Sequence, residues 1–285
     1  MTQNAKLASS RHYERIGVHP RAGTLGAEIV GVDLSKPLED AVFAEIEHAF
    51  HENLVIVLRN QSIEPADLVR FTEYFGAVEP HPLGSRRGLD RQPEVMVLEN
   101  KPGKLGPRND FWHSDISFGD KPPLGSILYS IKTTEGRGDT MFCNMYEAYE
   151  GLSEGLRSML DGMTALHSAE KLVQEVPNRL SVDVAPTAVE HPVVRTHVGT
   201  GRKALYVNPH YTLNFKGWTP EESQPLLDLL TARATRPENV YRHQWQVGDV
   251  LMWDNRCAMH YAVRDYDDTM PRLLYRTTAA GDIPH

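Results

Sequence analysis

The chain predicts a mainly β fold of the sandwich, jelly-roll or barrel kind, with helices on its flanks. Three features point there. From Glu94 onward, short runs of apolar and β-branched residues recur with turn residues between them. Helical segments with recognisable start and stop signals interrupt those runs. The 285 residues contain no internal repeat, low-complexity tract or long Ser/Gly linker, so they read as one large domain.

The elements follow in order. The first 20 or so residues are polar and are expected to form a flexible segment, leaving residues 21–285 as the domain. Between Ala41 and Leu54 the residues Val42, Phe43, Ile46, Ala49 and Phe50 recur at helical spacing. Leu54-Val55-Ile56-Val57-Leu58 then reads as a short buried strand. A second helix has Pro65 near its start, Leu68, Phe71 and Phe75 on one face, and Gly76 just past its end. Strands are expected at Val95–Leu98, Ser126–Tyr129, Met141–Cys143, Pro192–Val194 and Ala204–Val207, with helices near Leu152–Leu160 and from Pro220 to about Ala232. The last helix opens with Thr219-Pro220-Glu221-Glu222, a capping box with proline at the first helical position. A final β block runs from Val247 to Thr278.

Bulk properties narrow the function. A chain of this size buries roughly three quarters of its unfolded surface, so it needs no covalent staple. Cys143 and Cys257 stand far apart and outside any C-x-x-C pattern, which points to a reducing, cytoplasmic setting. The N-terminal MTQNAKLASSRHYERIG lacks the apolar centre of a secretory signal, and no run of about 18 apolar residues is present to span a membrane. The net charge of -8, with both signs interspersed and no basic run, argues against nucleic acid as a partner. An acidic chain that binds an anion must therefore gather its arginines locally.

Two stretches carry the chemistry: Trp112-His113-Ser114-Asp115, and Trp253-Asp254-Asn255-Arg256-Cys257-Ala258-Met259-His260. Read as a strand, the first puts His113 and Asp115 on one face with Cα atoms roughly 6–7 Å apart, while Trp112 and Ile116 face the core. In the second, Asp249–Trp253 reads as a buried strand and Asp254-Asn255 as a turn, returning His260 on a neighbouring strand. Two imidazoles and one carboxylate form the ligand set that holds non-haem Fe(II) and leaves positions open for other molecules. Taken alone, H-x-D is weak, since about one such triplet is expected by chance, and a single histidine in an apolar strand is more often a hydrogen-bonded core residue. A third element is the strand Pro271-Arg272-Leu273-Leu274-Tyr275-Arg276. Arg272, Leu274 and Arg276 share one face, the guanidinium-bearing Cα atoms about 13 Å apart. On a surface strand they would simply be solvated. Aimed into a cavity, they would pair with carboxylate-like anions.

With these residues in place, the chain resembles the taurine dioxygenase / 2,4-dichlorophenoxyacetate dioxygenase (TauD/TfdA) family of Fe(II)- and 2-oxoglutarate-dependent oxygenases. The resemblance extends from Leu25-Gly26-Ala27-Glu28-Ile29 to Gly281. It includes Phe75-Gly76, Trp112-His113-Ser114-Asp115, Gly138-Asp139-Thr140, His191-Pro192-Val193-Val194-Arg195-Thr196-His197, Trp253-Asp254-Asn255-Arg256 and Arg272-x-x-x-Arg276. It implies a double-stranded β-helix (jelly roll) with flanking helices. It further implies His113, Asp115 and His260 as iron ligands, and Thr140 and Arg272 as the grip on the distal carboxylate of 2-oxoglutarate. His81, Asn109, Arg276 and the backbone N–H of Ile116 would bind a small anionic substrate: a sulfonate such as taurine, a sulfate ester or a carboxylate. With O2 as co-substrate the products would include succinate and CO2, and the family relationship suggests a homo-oligomer. Two departures bear on substrate shape: Gly84 stands where taurine-acting members carry an aromatic residue, and the lid-like stretch from Ala169 to Glu190 is shorter and different. Two alternatives remain at this point. A cupin-like jelly-roll enzyme would share the histidines but would not need Thr140 and Arg272. A non-catalytic anion-binding β-barrel protein would use the arginines without a metal.

Overall fold

In the computed structural model the described residues are 13–80, 88–101, 103, 109–175 and 188–285. Their main body is an eight-stranded sheet in the order Gly17–Pro20, Ala27–Val30, Val55–Leu58, Val250–Asp254, Gly125–Lys132, Arg272–Ala279, Gln92–Asn100 and Gly88–Leu89. All pairings are antiparallel except that of Ala27–Val30 with Val55–Leu58. A second sheet faces it, with Thr140–Asn144 between Val240–His243 and Ala258–Ala262. Thr212–Phe215, Thr164–His167 and Val189–Pro192 form a third, smaller sheet. Two facing, mainly antiparallel sheets with helices outside match the jelly roll expected from the sequence.

Alternation along each strand decides which layer each side chain joins. Val55, Val57, Leu128, Leu251, Trp253 and Leu274 point inward and meet Phe142, Cys143, Tyr241, Ala258 and Met259 of the second sheet. Their sequence neighbours Ile56, Leu58, Ile127, Tyr129, Val250 and Met252 point outward, where they bury Ile46, Ala49, Phe50, Leu68 and Phe71 of the helices Asp40–Asn53 and Pro65–Glu73. This two-sided burial is why these strands read as unbroken apolar runs. On the strand Arg272–Ala279, Leu274 lies in the inner cluster and Tyr275 in the outer one. Arg272 and Arg276, in phase with Leu274, therefore belong to the inner face. Arg276 is buried on that face and Arg272 half-buried.

Most elements lie where the residues place them. Thr219 Oγ1 accepts from the backbone of Glu222 (3.2 Å), and Glu222 Oε2 accepts from the backbone of Thr219 (2.9 Å), closing the capping box of the helix Pro220–Ala234. Three corrections are needed. Residues 17–20, assigned to the polar leader, form an edge strand against Ala27–Val30. The segment around His113 is not a strand: His113 makes one isolated bridge, and a turn begins at Asp115. Finally, Ala258–Ala262 does not pair with Val250–Asp254. It crosses over the turn at Asn255–Cys257 into the opposite sheet, which leaves its side chains facing the strand it was expected to join. His81, Gly84 and residues 176–187 of the lid-like stretch lie outside the described residues. The earlier part of that stretch contains the helix Glu170–Glu175.

Candidate metal and anion site

The site is assembled by one backbone contact. His113 N donates to the His260 carbonyl (3.0 Å) and His260 N donates to the His113 carbonyl (2.8 Å), a directly opposed antiparallel pair. Side chains of such a pair leave on the same side, and the two imidazole centroids lie 4.1 Å apart. Asp115 follows two residues later. Its Oδ1 is 3.8 Å from His113 Nε2 and 3.9 Å from His260 Nε2. One ligand atom from each of the three lies within 4.8 Å of the others, and all three residues are buried.

Their protonation suits a metal. His113 Nδ1 sits 2.9 Å from the Phe111 carbonyl, which can only accept, so Nδ1 carries the hydrogen and Nε2 keeps its lone pair. Burial pushes the His113 pKa down to about 3, with the neighbouring His260 adding to the effect, and burial pushes His260 down to about 4. Both rings are therefore neutral near pH 7, the form that ligates. Three donors gathered without bulk solvent, two neutral imidazoles and one carboxylate, form a set that fits a divalent first-row metal.

Directly after Asp115 the chain turns sharply. Ile116 adopts φ 51°, a left-handed conformation that a β-branched residue rarely takes and that costs about 1–3 kcal/mol. Gly119 N closes the turn on the Ile116 carbonyl at 2.9 Å. Strain of this kind, held one residue from a triad carboxylate, is consistent with a backbone N–H turned for use.

The arginines differ in their engagement. Arg276, buried, places Nη2 2.8 Å from Asp115 Oδ2 and 2.9 Å from Ser126 Oγ. Beyond the expected part in binding a substrate anion, the structure joins it to the triad carboxylate, because its strand runs beside Gly125–Lys132, which carries Ser126. Its Nε remains buried with no hydrogen-bond partner among the described residues. Arg272 lies with Asn109 in a cavity that is also lined by Leu98, Asn100, Ala262 and Tyr266. Its Nε is likewise buried and unpartnered among the described residues, and burial lowers its pKa. Such a cation is relieved by an incoming carboxylate.

Thr140 completes that end of the site. Trp245 Nε1 donates to Thr140 Oγ1 at 3.0 Å, so the hydroxyl hydrogen is free for another acceptor. Thr140 pairs with Ala262, whose N–H donates to the Asn109 carbonyl at 3.1 Å. Gly138, φ 67°, clears the space for Arg272, since a Cβ there would lie 3.3 Å from Arg272 Nε and 3.3 Å from the Tyr266 ring. Gly138→Ala is expected to destabilise the fold by roughly 1–2 kcal/mol from the left-handed backbone and to displace the Arg272 guanidinium. Thermal melts check this; an unchanged melting temperature would count against the strain at this position.

The sequence reading missed several participants. Ser126, Asn255, Trp245 and the Phe111 carbonyl stand at fixed hydrogen-bond distance from predicted site residues, yet no spacing rule marks them. An aromatic wall was missed too: His210 stacks on Phe111 (centroids 3.5 Å), and Tyr211 meets His113 (5.9 Å) and Phe118 (5.0 Å) edge-on. The fold gathers a second cluster, His197, Asp254 and Cys257. The polar atoms of His197 and Asp254 are already used. Asp254 is gripped by Arg256 at 2.7 and 2.9 Å, His197 Nε2 donates to Asp254 Oδ2 at 2.9 Å, and His197 Nδ1 accepts from the Gly199 and Thr200 N–H groups at 3.1 Å. That cluster pins the turn between the two sheets.

The whole chain is also similar to known proteins. The family model described as taurine catabolism dioxygenase TauD, TfdA family matches residues 17–278. An alpha-ketoglutarate-dependent sulfate ester dioxygenase of Pseudomonas putida is 36% identical, over 99% of this chain and 95% of its own. An alkylsulfatase of Acinetobacter baylyi is 34% identical, over 95% of this chain and 86% of its own. Among solved structures, AAD-2 in complex with Mn(II) and N-oxalylglycine superposes with a TM-score of 0.80 at 29% identity, covering 95% of this chain and 99% of that one. Among the described residues, no helix is long and apolar enough to cross a membrane.

Proposed function

The chain belongs to the TauD/TfdA family of 2-oxoglutarate-dependent dioxygenases, and from that premise we propose that it hydroxylates a small organic sulfate ester, with His113, Asp115 and His260 holding Fe(II). The carrying observation is the convergence of those three ligand atoms beside two inward-facing arginines. Membership of the family sets aside the cupin-like and non-catalytic alternatives.

Bound Fe(II), with 2-oxoglutarate and O2, supplies the oxidant for a substrate C–H bond while the keto acid becomes succinate and CO2. The chain's own residues provide position. Arg272 and the Thr140 hydroxyl would receive the distal carboxylate of 2-oxoglutarate, the first as a charge-assisted pair and the second as a single hydrogen bond. Arg276, whose Nε has no other partner among the described residues, would take the substrate's acid group, helped by Asn109, His81 and the Ile116 N–H. The apolar remainder would lie along Ile116, Phe118 and Tyr211, which pack into one cluster beside the triad. A hydroxyl placed on the carbon that bears a sulfate ester gives an unstable hemiacetal-type product. It would divide into an aldehyde and hydrogensulfate. Both relatives named above carry sulfate-ester names, which favours this acid group over a sulfonate or carboxylate.

The test is a panel of short alkyl sulfates, alkanesulfonates including taurine, and aryloxyacetates, incubated with Fe(II), ascorbate and 2-oxoglutarate. The expected result is stimulated succinate formation with an alkyl sulfate, and one inorganic sulfate released per succinate. Stimulation confined to sulfonates or aryloxyacetates would reject the sulfate-ester assignment.

A further inference from the structure

One oxygen of the triad carboxylate is held by a linked set of hydrogen bonds. Ser126 Oγ donates to Asp115 Oδ2 at 2.8 Å. The same oxygen accepts from Arg276 Nη2 at 2.9 Å and from Asn255 Nδ2 at 3.1 Å. A hydroxyl has one hydrogen and two lone pairs. With both lone pairs occupied by obligate donors, the hydrogen has a single direction left, toward Asp115. Asn255 cannot be flipped to undo this, because its Oδ1 accepts from Trp253 Nε1 at 2.9 Å. Ser126 is fully buried on the central strand Gly125–Lys132, beyond the reach of solvent competition.

The consequence falls on the two carboxylate oxygens. Oδ2 receives Ser126 and Arg276, both at 2.8 Å. Oδ1 faces the two imidazole Nε2 atoms at 3.8 and 3.9 Å. We propose that Ser126 is a positioning residue that keeps Asp115 a one-oxygen ligand, so that the triad occupies three metal positions rather than four. Arg276 shares its Nη2 between Asp115 and Ser126 and is also the cation proposed to meet the substrate anion through Nε, whereas the single hydrogen of the neutral, buried Ser126 hydroxyl is committed to Asp115. This inference rests on the metal-site reading above.

The test uses the full chain without iron, titrated with Mn(II). Binding is followed by calorimetry, and water-proton relaxation reports the exchangeable waters left on the bound ion. The native chain is expected to bind Mn(II) with strong relaxation enhancement. Ser126→Ala removes one buried hydroxyl and keeps the strand; its affinity should fall roughly 10–100-fold, the usual range for outer-shell partners, and the relaxation per bound ion should drop as Oδ2 takes a coordination position. Ser126→Thr, which keeps the hydroxyl, should recover both values. Mn(II) affinity and relaxation in Ser126→Ala equal to the native chain's would overturn the inference while leaving the metal site standing. Failure of the native chain itself to bind Mn(II) would overturn both.

Discussion

His260→Ala is expected to abolish Fe(II)-dependent succinate formation while the chain remains folded. His260 is buried, with its ring packed against Trp253 (4.7 Å) and Phe142 (6.1 Å). Truncation therefore leaves a cavity and costs stability, on the order of 2–3 kcal/mol by the rule for large-to-small buried changes. The backbone bridge to His113 does not depend on the side chain and should persist. Loss of a ligand atom is a larger matter than loss of an outer-shell partner, so the fall in activity should exceed the roughly 10–100-fold typical of the latter. Succinate release and bound-metal analysis on the same preparation provide the check. Undiminished turnover would remove the triad.

Arg272→Ala should act on a different quantity. Its guanidinium lies in the cavity with Asn109 and Tyr266, and Arg272 is not one of the three residues of the metal set. Removing one partner of a buried charge pair costs about 2–5 kcal/mol, equivalent to a rise of roughly 30-fold to several thousandfold in the KM for 2-oxoglutarate. Mn(II) affinity should be unaffected. Arg276 offers the contrast, because its Nη2 is bound to Asp115 and Ser126. Arg276→Ala should raise the KM for the acidic substrate more than that for 2-oxoglutarate. Equal changes of both constants in the two variants would dismiss the division of labour between the arginines.

Much of the fold was legible because burial leaves a periodic mark. The helix Asp40–Asn53 shows its inner stripe as Ile46, Ala49 and Phe50, and Pro220–Ala234 announces its start through Thr219 and Glu222. That Arg272 and Arg276 share a face with Leu274 could be read from strand alternation, but that this face turns inward could not. The candidate ligands were readable by residue type alone. Their convergence was not, because His113 and His260 meet through a single bridge and Asp115 enters from a turn with a left-handed isoleucine. Local pattern carries no record of a bridge between positions 147 residues apart in sequence (260 minus 113).

By itself, then, the sequence determined the principal helices, the two-sided apolar strands, and which side chains could serve as ligands and anion clamps. Each of these is set by neighbours within a few residues. Only the tertiary structure decided that Ala258–Ala262 crosses to the second sheet, that Arg276 rests on Asp115, and that Ser126, Asn255 and Trp253 orient that carboxylate. The reason is that hydrogen-bond direction depends on where distant strands bring their donors and acceptors, and the chain fixes that only once both sheets have closed on the core.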